Sequence, residues 1–181
     1  MKRAVFLDRD GVINRVRVRD GKPYPPDTLA EFELLPGVEW TIRALRKAGF
    51  LIIVVTNQPD VATGVQRRNV VESMHDKLRA MGLCDDIKVC YHADADDCEC
   101  RKPNTGLVLA AQEKYNLDLS RCYIIGDREG DIQLGKRLGM ISMLVKTGRK
   151  ESSEHEWTEA PDFVFPDLEL AVHHILNQER Q

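Results

Sequence analysis

Two aspartates separated by one residue, Asp8 and Asp10, close the apolar run Ala4 to Leu7 in the segment Asp8-Arg9-Asp10-Gly11-Val12. Like charges this close repel, and a cation between them relieves the repulsion. Magnesium takes hard oxygen ligands and keeps several waters, so one or two carboxylates and a substrate phosphate meet its needs. Gly126-Asp127-Arg128-Glu129-Gly130-Asp131 brings more carboxylate after another apolar run, while Thr56-Asn57-Gln58 and Arg101-Lys102-Pro103 place hydroxyl, amide and cationic groups after two more. Taken singly, Asp-x-Asp reads as a turn cap, Thr56 as a helix cap and Lys102 as a solvated loop residue. Their shared position after apolar runs points instead to one metal-assisted, anion-handling site.

A second cluster has softer chemistry. Cys90-Tyr91-His92 and Cys98-Glu99-Cys100 place four nitrogen or sulfur ligands just before Arg101 and Lys102. One intervening residue in extended backbone turns both members of each pair to the same side. Three cysteines and a histidine form a structural zinc set, although the spacing is tighter than the usual gap of about two to four residues. The other reading is a reduced surface loop with an incidental histidine. Asp94, Asp96 and Asp97 read as a solvated turn within it, and Cys84 and Cys122 as buried thiols.

The elements that must position these groups are legible as short apolar runs at Ala4 to Leu7, Leu51 to Val55, Ile87 to Tyr91, Cys122 to Ile125 and Ile141 to Val145. Helical patterns separate them at Val38 to Ala48, Arg67 to Met81, Gly106 to Tyr115 and Asp131 to Leu138, three of them closed by glycine. A last strand around Phe163 to Phe165 and a helix from about Leu168 to Asn177 complete the pattern. Alternation of this kind predicts an α/β fold with a doubly wound, Rossmann-like parallel sheet. In such sheets ligands bind beyond the carboxyl ends of the strands, which is where the polar groups fall.

With 181 residues, the chain is expected to form a single domain over residues 1–181 with a core that needs no disulfides. No stretch approaches the ~18 apolar residues that span a bilayer, and no signal sequence opens the chain, so a cytoplasmic protein is expected. A net charge of −3 gives no electrostatic reason to expect nucleic acid as a partner. A monomer without membrane partners is the expectation.

In their order, Asp8-Arg9-Asp10-Gly11, Thr56-Asn57-Gln58, Arg101-Lys102-Pro103 and Gly126-Asp127 with Asp131 make the chain resemble the haloacid dehalogenase-like phosphatases from Ala4 to about Gly148. The resemblance implies that Asp8 is the nucleophile forming an aspartyl-phosphate. It implies that Asp10 protonates the leaving oxygen and then activates water, with a pKa near working pH. It further implies a Mg²⁺ held by the Asp8 side chain, the Asp10 carbonyl and Asp127, with Asp131 behind them. Thr56, Asn57, Arg101 and Lys102 become substrate-binding residues. Members of the branch acting on heptose bisphosphates and histidinol phosphate carry Cys-x-His followed by Cys-x-Cys-Arg-Lys-Pro, which supports a structural Zn²⁺ on Cys90, His92, Cys98 and Cys100.

The intervals Gly11 to Pro36 and Gln58 to Cys100 are too short for a large cap, so an open site is expected. Arg15, Arg17 and Arg19 alternate with valines before Asp20-Gly21, a hairpin signal. One reading has them on a solvated ribbon face; in the other, one of them and Arg101 clamp a second anionic group. The second reading favours a sugar bisphosphate as the small-molecule substrate, with histidinol phosphate as the near alternative. Pro59-Asp60 stands where many relatives have Ser-Gly. A non-catalytic zinc module would lack the nucleophile or the acid, and both are present.

Overall fold

The computed structural model describes residues 1–148 and 157–179. Its main sheet has six parallel strands: β1 (Ala4–Leu7), β4 (Leu51–Asn57), β5 (Asp86–Cys90), β6 (Tyr123–Gly126), β7 (Ile141–Val145) and β8 (Phe163–Phe165), in the order β5-β4-β1-β6-β7-β8. Two three-residue strands, β2 (Arg17–Arg19) and β3 (Lys22–Tyr24), form a separate antiparallel ribbon. The helices are α1 (Val38–Lys47), α2 (Arg68–Ala80), α3 (Gly106–Tyr115), α4 (Glu129–Arg137) and α5 (Leu168–Gln178).

Side chains alternate across each strand, so the sheet divides the core in two. Val5, Leu7, Ile52, Val54 and Ile125 face Ile42 and Leu45 of α1, Met74 and Leu78 of α2, and Val172 and Ile175 of α5. Ala4, Phe6, Ile53, Val55 and Ile124 face Val108 and Ala111 of α3 and Leu134 of α4. Covering both faces explains why the strand runs are continuously apolar. The edge strands are β5 and β8. Among the described residues, no helix is long and apolar enough to cross a membrane.

Strand order reverses around β1, where Leu7 lies opposite Val54 on one side and Ile125 on the other. Asp8, Thr56 and Asp127 therefore emerge together, one or two residues beyond that register. Several boundaries shift from expectation by a residue or two, and two of the shifts bear on the site. Thr56 and Asn57 belong to β4 itself, because they pair with Val89 and Cys90 of β5. α4 starts at Glu129, ahead of Asp131, because the Asp131 carboxylate accepts the Arg128 N–H at 3.3 Å and caps the first turn.

Candidate active site and metal centre

Asp8, just past β1, is 6% exposed at the floor of a cavity of about 480 Å³. The walls include Thr56 and Asn57 from β4, Arg101 and Lys102 from the loop before α3, Arg128 and Asp131 at the start of α4, and Pro23 to Pro25 of the ribbon. The Asp8 Oδ1 atom accepts the Arg9 N–H at 2.8 Å and faces Lys102 Nζ at 2.9 Å. Lys102 Nζ also donates to Asp131 Oδ1 at 2.6 Å and to the Val55 carbonyl at 2.8 Å. Burial disfavours the lysine charge, but Asp131 and Asp8 outweigh it and raise the pKa above the ordinary lysine value. A fixed positive charge thus stands beside Asp8.

Asp8, Asp127 and Asp131 bring carboxylate oxygens within 4.8 Å of one another, and all three are buried. Neither carboxylate oxygen of Asp127 has a hydrogen-bond partner. Burial, followed by the charges of Asp8 and Asp131, pushes the Asp127 carboxyl up to about 8. Burial also raises Asp131 to about 6, against the pull of Lys102. Buried, unpartnered hard oxygens call for a cation, and this donor set fits Mg²⁺. Glycines clear the space for it. A Cβ on Gly148 would lie 1.9 Å from Asp127 Oδ2, and one on Gly126 would lie 2.2 Å from the Asp131 carboxylate.

The Asp10 side chain turns away from this group. Its Oδ2 accepts Arg9 Nη2 at 2.9 Å and Gln58 Nε2 at 2.7 Å, and its Oδ1 accepts Asn14 Nδ2 at 2.9 Å. Burial favours the neutral acid, but Arg9, Asn14 and Gln58 prevail and hold the carboxyl below its usual range. The expectation of a pKa near working pH is therefore corrected, because five donor contacts favour the ionised form. Gln58, Asn14 and Arg9 carry that role unforeseen. Gln58 and Arg9 sit inside the motifs that name their neighbours, and only Asn14, one turn beyond Asp10, lacked even that signal.

Asn57 borders the cavity, as expected, and also grips Lys102. Its Oδ1 accepts the Lys102 N–H and its Nδ2 donates to the Lys102 carbonyl, both at 3.1 Å. The side chain fixes the backbone of Lys102. The Thr56 hydroxyl is buried and accepts Gln58 Nε2 at 3.0 Å, leaving its own proton to donate. Arg101 reaches the cavity wall and pairs with Asp94, so Asp94 is not simply solvated.

The ribbon arginines do not form the expected common face. Arg15 lies outside β2 and pairs with Glu33 at 3.2 Å. Arg17 pairs with Glu31 at 2.9 Å and with Asp27, which also takes Arg19 at 2.7 Å. Acids that follow in sequence pair with all three, and none of the arginines lines the cavity.

Cys90, His92, Cys98 and Cys100 converge. The Sγ atoms of Cys90 and Cys98 are 3.6 Å apart, those of Cys98 and Cys100 are 3.5 Å apart, and His92 Nδ1 lies 3.2 Å from Cys100 Sγ and 3.6 Å from Cys90 Sγ. A tetrahedral ion with bonds of about 2.3 Å to sulfur spaces its ligands by roughly 3.7 Å, so the four atoms are close to a closed shell. Burial pushes the Cys90 thiol up to about 12, so a cation binding there displaces a proton. The loop stands against the active-site segment: Asn104 Nδ2 donates to the Cys98 carbonyl at 2.7 Å, and the Gly106 N–H to the Glu99 carbonyl at 3.0 Å.

The family model described as HAD-hydrolase-like matches residues 99–171. The D-glycero-beta-D-manno-heptose-1,7-bisphosphate 7-phosphatase of Pseudomonas putida is 36% identical over 169 residues, covering 91% of this chain and 94% of that protein. The Escherichia coli K12 protein of the same name is 34% identical and covers 91% and 89%. Among solved structures, D,D-heptose 1,7-bisphosphate phosphatase from B. bronchiseptica, complexed with magnesium and phosphate, superposes with a TM-score of 0.84 at 30% identity, covering 98% of this chain and 99% of that one.

Proposed function

The chain belongs to the HAD-like phosphatases, and from that premise we propose that it removes the C7 phosphate of a D-glycero-D-manno-heptose 1,7-bisphosphate through an aspartyl-phosphate on Asp8. The observation that carries this reading is the position of Asp8. Its carboxylate lies at the cavity floor, 2.9 Å from the Lys102 ammonium and grouped with Asp127 and Asp131.

In the first step an Asp8 oxygen bonds to phosphorus, and the bond from phosphorus to the C7 oxygen breaks. Asp10 gives its proton to the departing alkoxide. In the second step Asp10 takes a proton from water, whose oxygen attacks phosphorus and releases inorganic phosphate, restoring the Asp8 carboxylate. Splitting the displacement in two lowers each barrier. The ionised Asp10 favoured by its donors suits the second step, and a substrate phosphate nearby raises its proton affinity for the first. The Thr56 hydroxyl and the Lys102 ammonium stabilise charge on the phosphoryl oxygens. Asp8, Asp127 and the Asp10 carbonyl would hold Mg²⁺, which supplies positive charge against the phosphoryl group. Asp131 steadies Lys102.

The same reading assigns Zn²⁺ to Cys90, His92, Cys98 and Cys100 as a structural ion, since four protein ligands leave no open position. Arg101 and Arg128 on the cavity wall are suited to the second phosphate. A monomer acting in the cytoplasm is part of the same proposal.

Asp8→Asn tests the chemistry: turnover of the bisphosphate should fall at least ~10³-fold, since a whole covalent route is lost. Retention of substantial activity would refute the nucleophile assignment. Phosphate release from the heptose bisphosphate and from histidinol phosphate, measured side by side, tests the substrate; a higher kcat/KM for histidinol phosphate would overturn it.

A further inference from the structure

We propose that His75, on α2, is a positioning residue for phosphoryl transfer: it holds Arg9, and through Arg9 the carboxylate of Asp10. The proposal rests on the reading of Asp10 as the acid. Arg9 is a fully buried arginine, and its guanidinium is enclosed on two sides. One side grips Asp10, with Nη2 2.9 and 3.0 Å from the two carboxylate oxygens and Nε 3.3 Å from Oδ1. The other side meets His75, with Nη1 3.0 Å from Nε2. Phe32 lies beneath, its ring centre 5.8 Å from the guanidinium carbon.

Arginine can only donate, so the short contact requires an unprotonated Nε2. The ring proton of neutral His75 is then on Nδ1, which lies 3.6 Å from Glu72 Oε2. Glu72 is itself anchored, because its Oε1 accepts the Tyr91 hydroxyl. Tyr91 stands between Cys90 and His92. Arg9 thus links His75 to Asp10 by hydrogen bonds, while Glu72 and Tyr91 stand behind the ring, whose Nδ1 has no hydrogen-bond partner. His75 is 0% exposed and touches no cavity wall, so its effect on the reaction passes through Arg9.

A merely structural histidine would affect all substrates alike. An acid positioned by His75 matters most when the leaving oxygen needs a proton. An alkyl phosphate such as the heptose bisphosphate needs it, and p-nitrophenyl phosphate, with its stable leaving anion, does not. The measurement is kcat/KM on both esters, which reports the first transfer, in the fully metal-loaded enzyme. His75→Leu should lose at least ~10-fold on the alkyl ester and less than ~3-fold on the aryl ester. His75→Gln, whose amide oxygen reaches the Nε2 position, should recover most of the loss. If His75→Leu does not fold, the comparison of His75→Gln with His75→Asn replaces it, since the shorter amide cannot reach Arg9.

Equal losses on the two esters, or no rescue by glutamine, would overturn the proposal. Asp10→Asn separates the two levels. If it shows the leaving-group dependence and the His75 variants do not, His75 is only structural. If it shows none, the acid assignment fails and the His75 proposal falls with it.

Discussion

Asp127 shows how a single side chain can anticipate a ligand. Its carboxylate is buried without a hydrogen-bond partner, with Arg128 Nε 3.8 Å away, and burial pushes its pKa up to about 8, so the metal-free protein holds a proton there which the unfolded chain would release near 4. Between those values the native state binds more protons than the unfolded state, so metal-free stability falls as pH rises through this window. A cation bound by the ionised carboxylate reverses the penalty. The Tm gain on adding Mg²⁺ should accordingly be larger near pH 8 than near pH 6, and thermal melts at the two pH values check it. His75 acts in the opposite sense at lower pH. Burial and then Arg9 lower it to about 4, so stability is lost as pH falls below the ordinary histidine value toward 4.

At the scale of elements, the ribbon and the cysteine loop illustrate what patterns in sequence can and cannot show. Alternating arginines and Asp-Gly correctly announced the hairpin of β2 and β3, yet the arginine partners Asp27, Glu31 and Glu33 lie in the next segment, beyond the reach of any local pattern. Arg19→Ala should leave kcat and KM within about twofold, because an exposed pair of this kind is worth roughly 1 kcal/mol or less. Steady-state kinetics on the bisphosphate would show otherwise if Arg19 reached substrate. The convergence of Cys90, His92, Cys98 and Cys100 was legible, since residue type and spacing point to one cluster. Cys98→Ser should weaken zinc retention and lower Tm by about 5 °C or more, as the loss of a ligand removes metal-linked folding energy. Metal analysis and a melting curve measure both. Boundaries were less legible where a residue serves two purposes: Asn57 ends a strand and grips Lys102, and Asp131 caps α4 while bonding to Lys102.

For the whole molecule, sheet order places the site. A strand order that reverses around β1 brings four distant motifs to one rim, and the apolar runs were enough to predict this because both faces of the sheet are covered. What the runs could not reveal is the buried contact of His75 with Arg9 behind Asp10. His75 sits at an ordinary inward position of α2, and nothing in its neighbours marks it as polar contact rather than packing. The two edge strands of the sheet carry a further consequence. An exposed strand edge is a template for another chain, and this protein blunts its two edges by different means. On β5, Lys88 and Asp86 pair at 3.3 Å, so an incoming strand would meet charge. On β8, Phe163 and Val164 are exposed, and protection rests on a length of only three residues. Partial opening near β8 is thus the more direct route to self-association and precipitation, whatever the state of the active site.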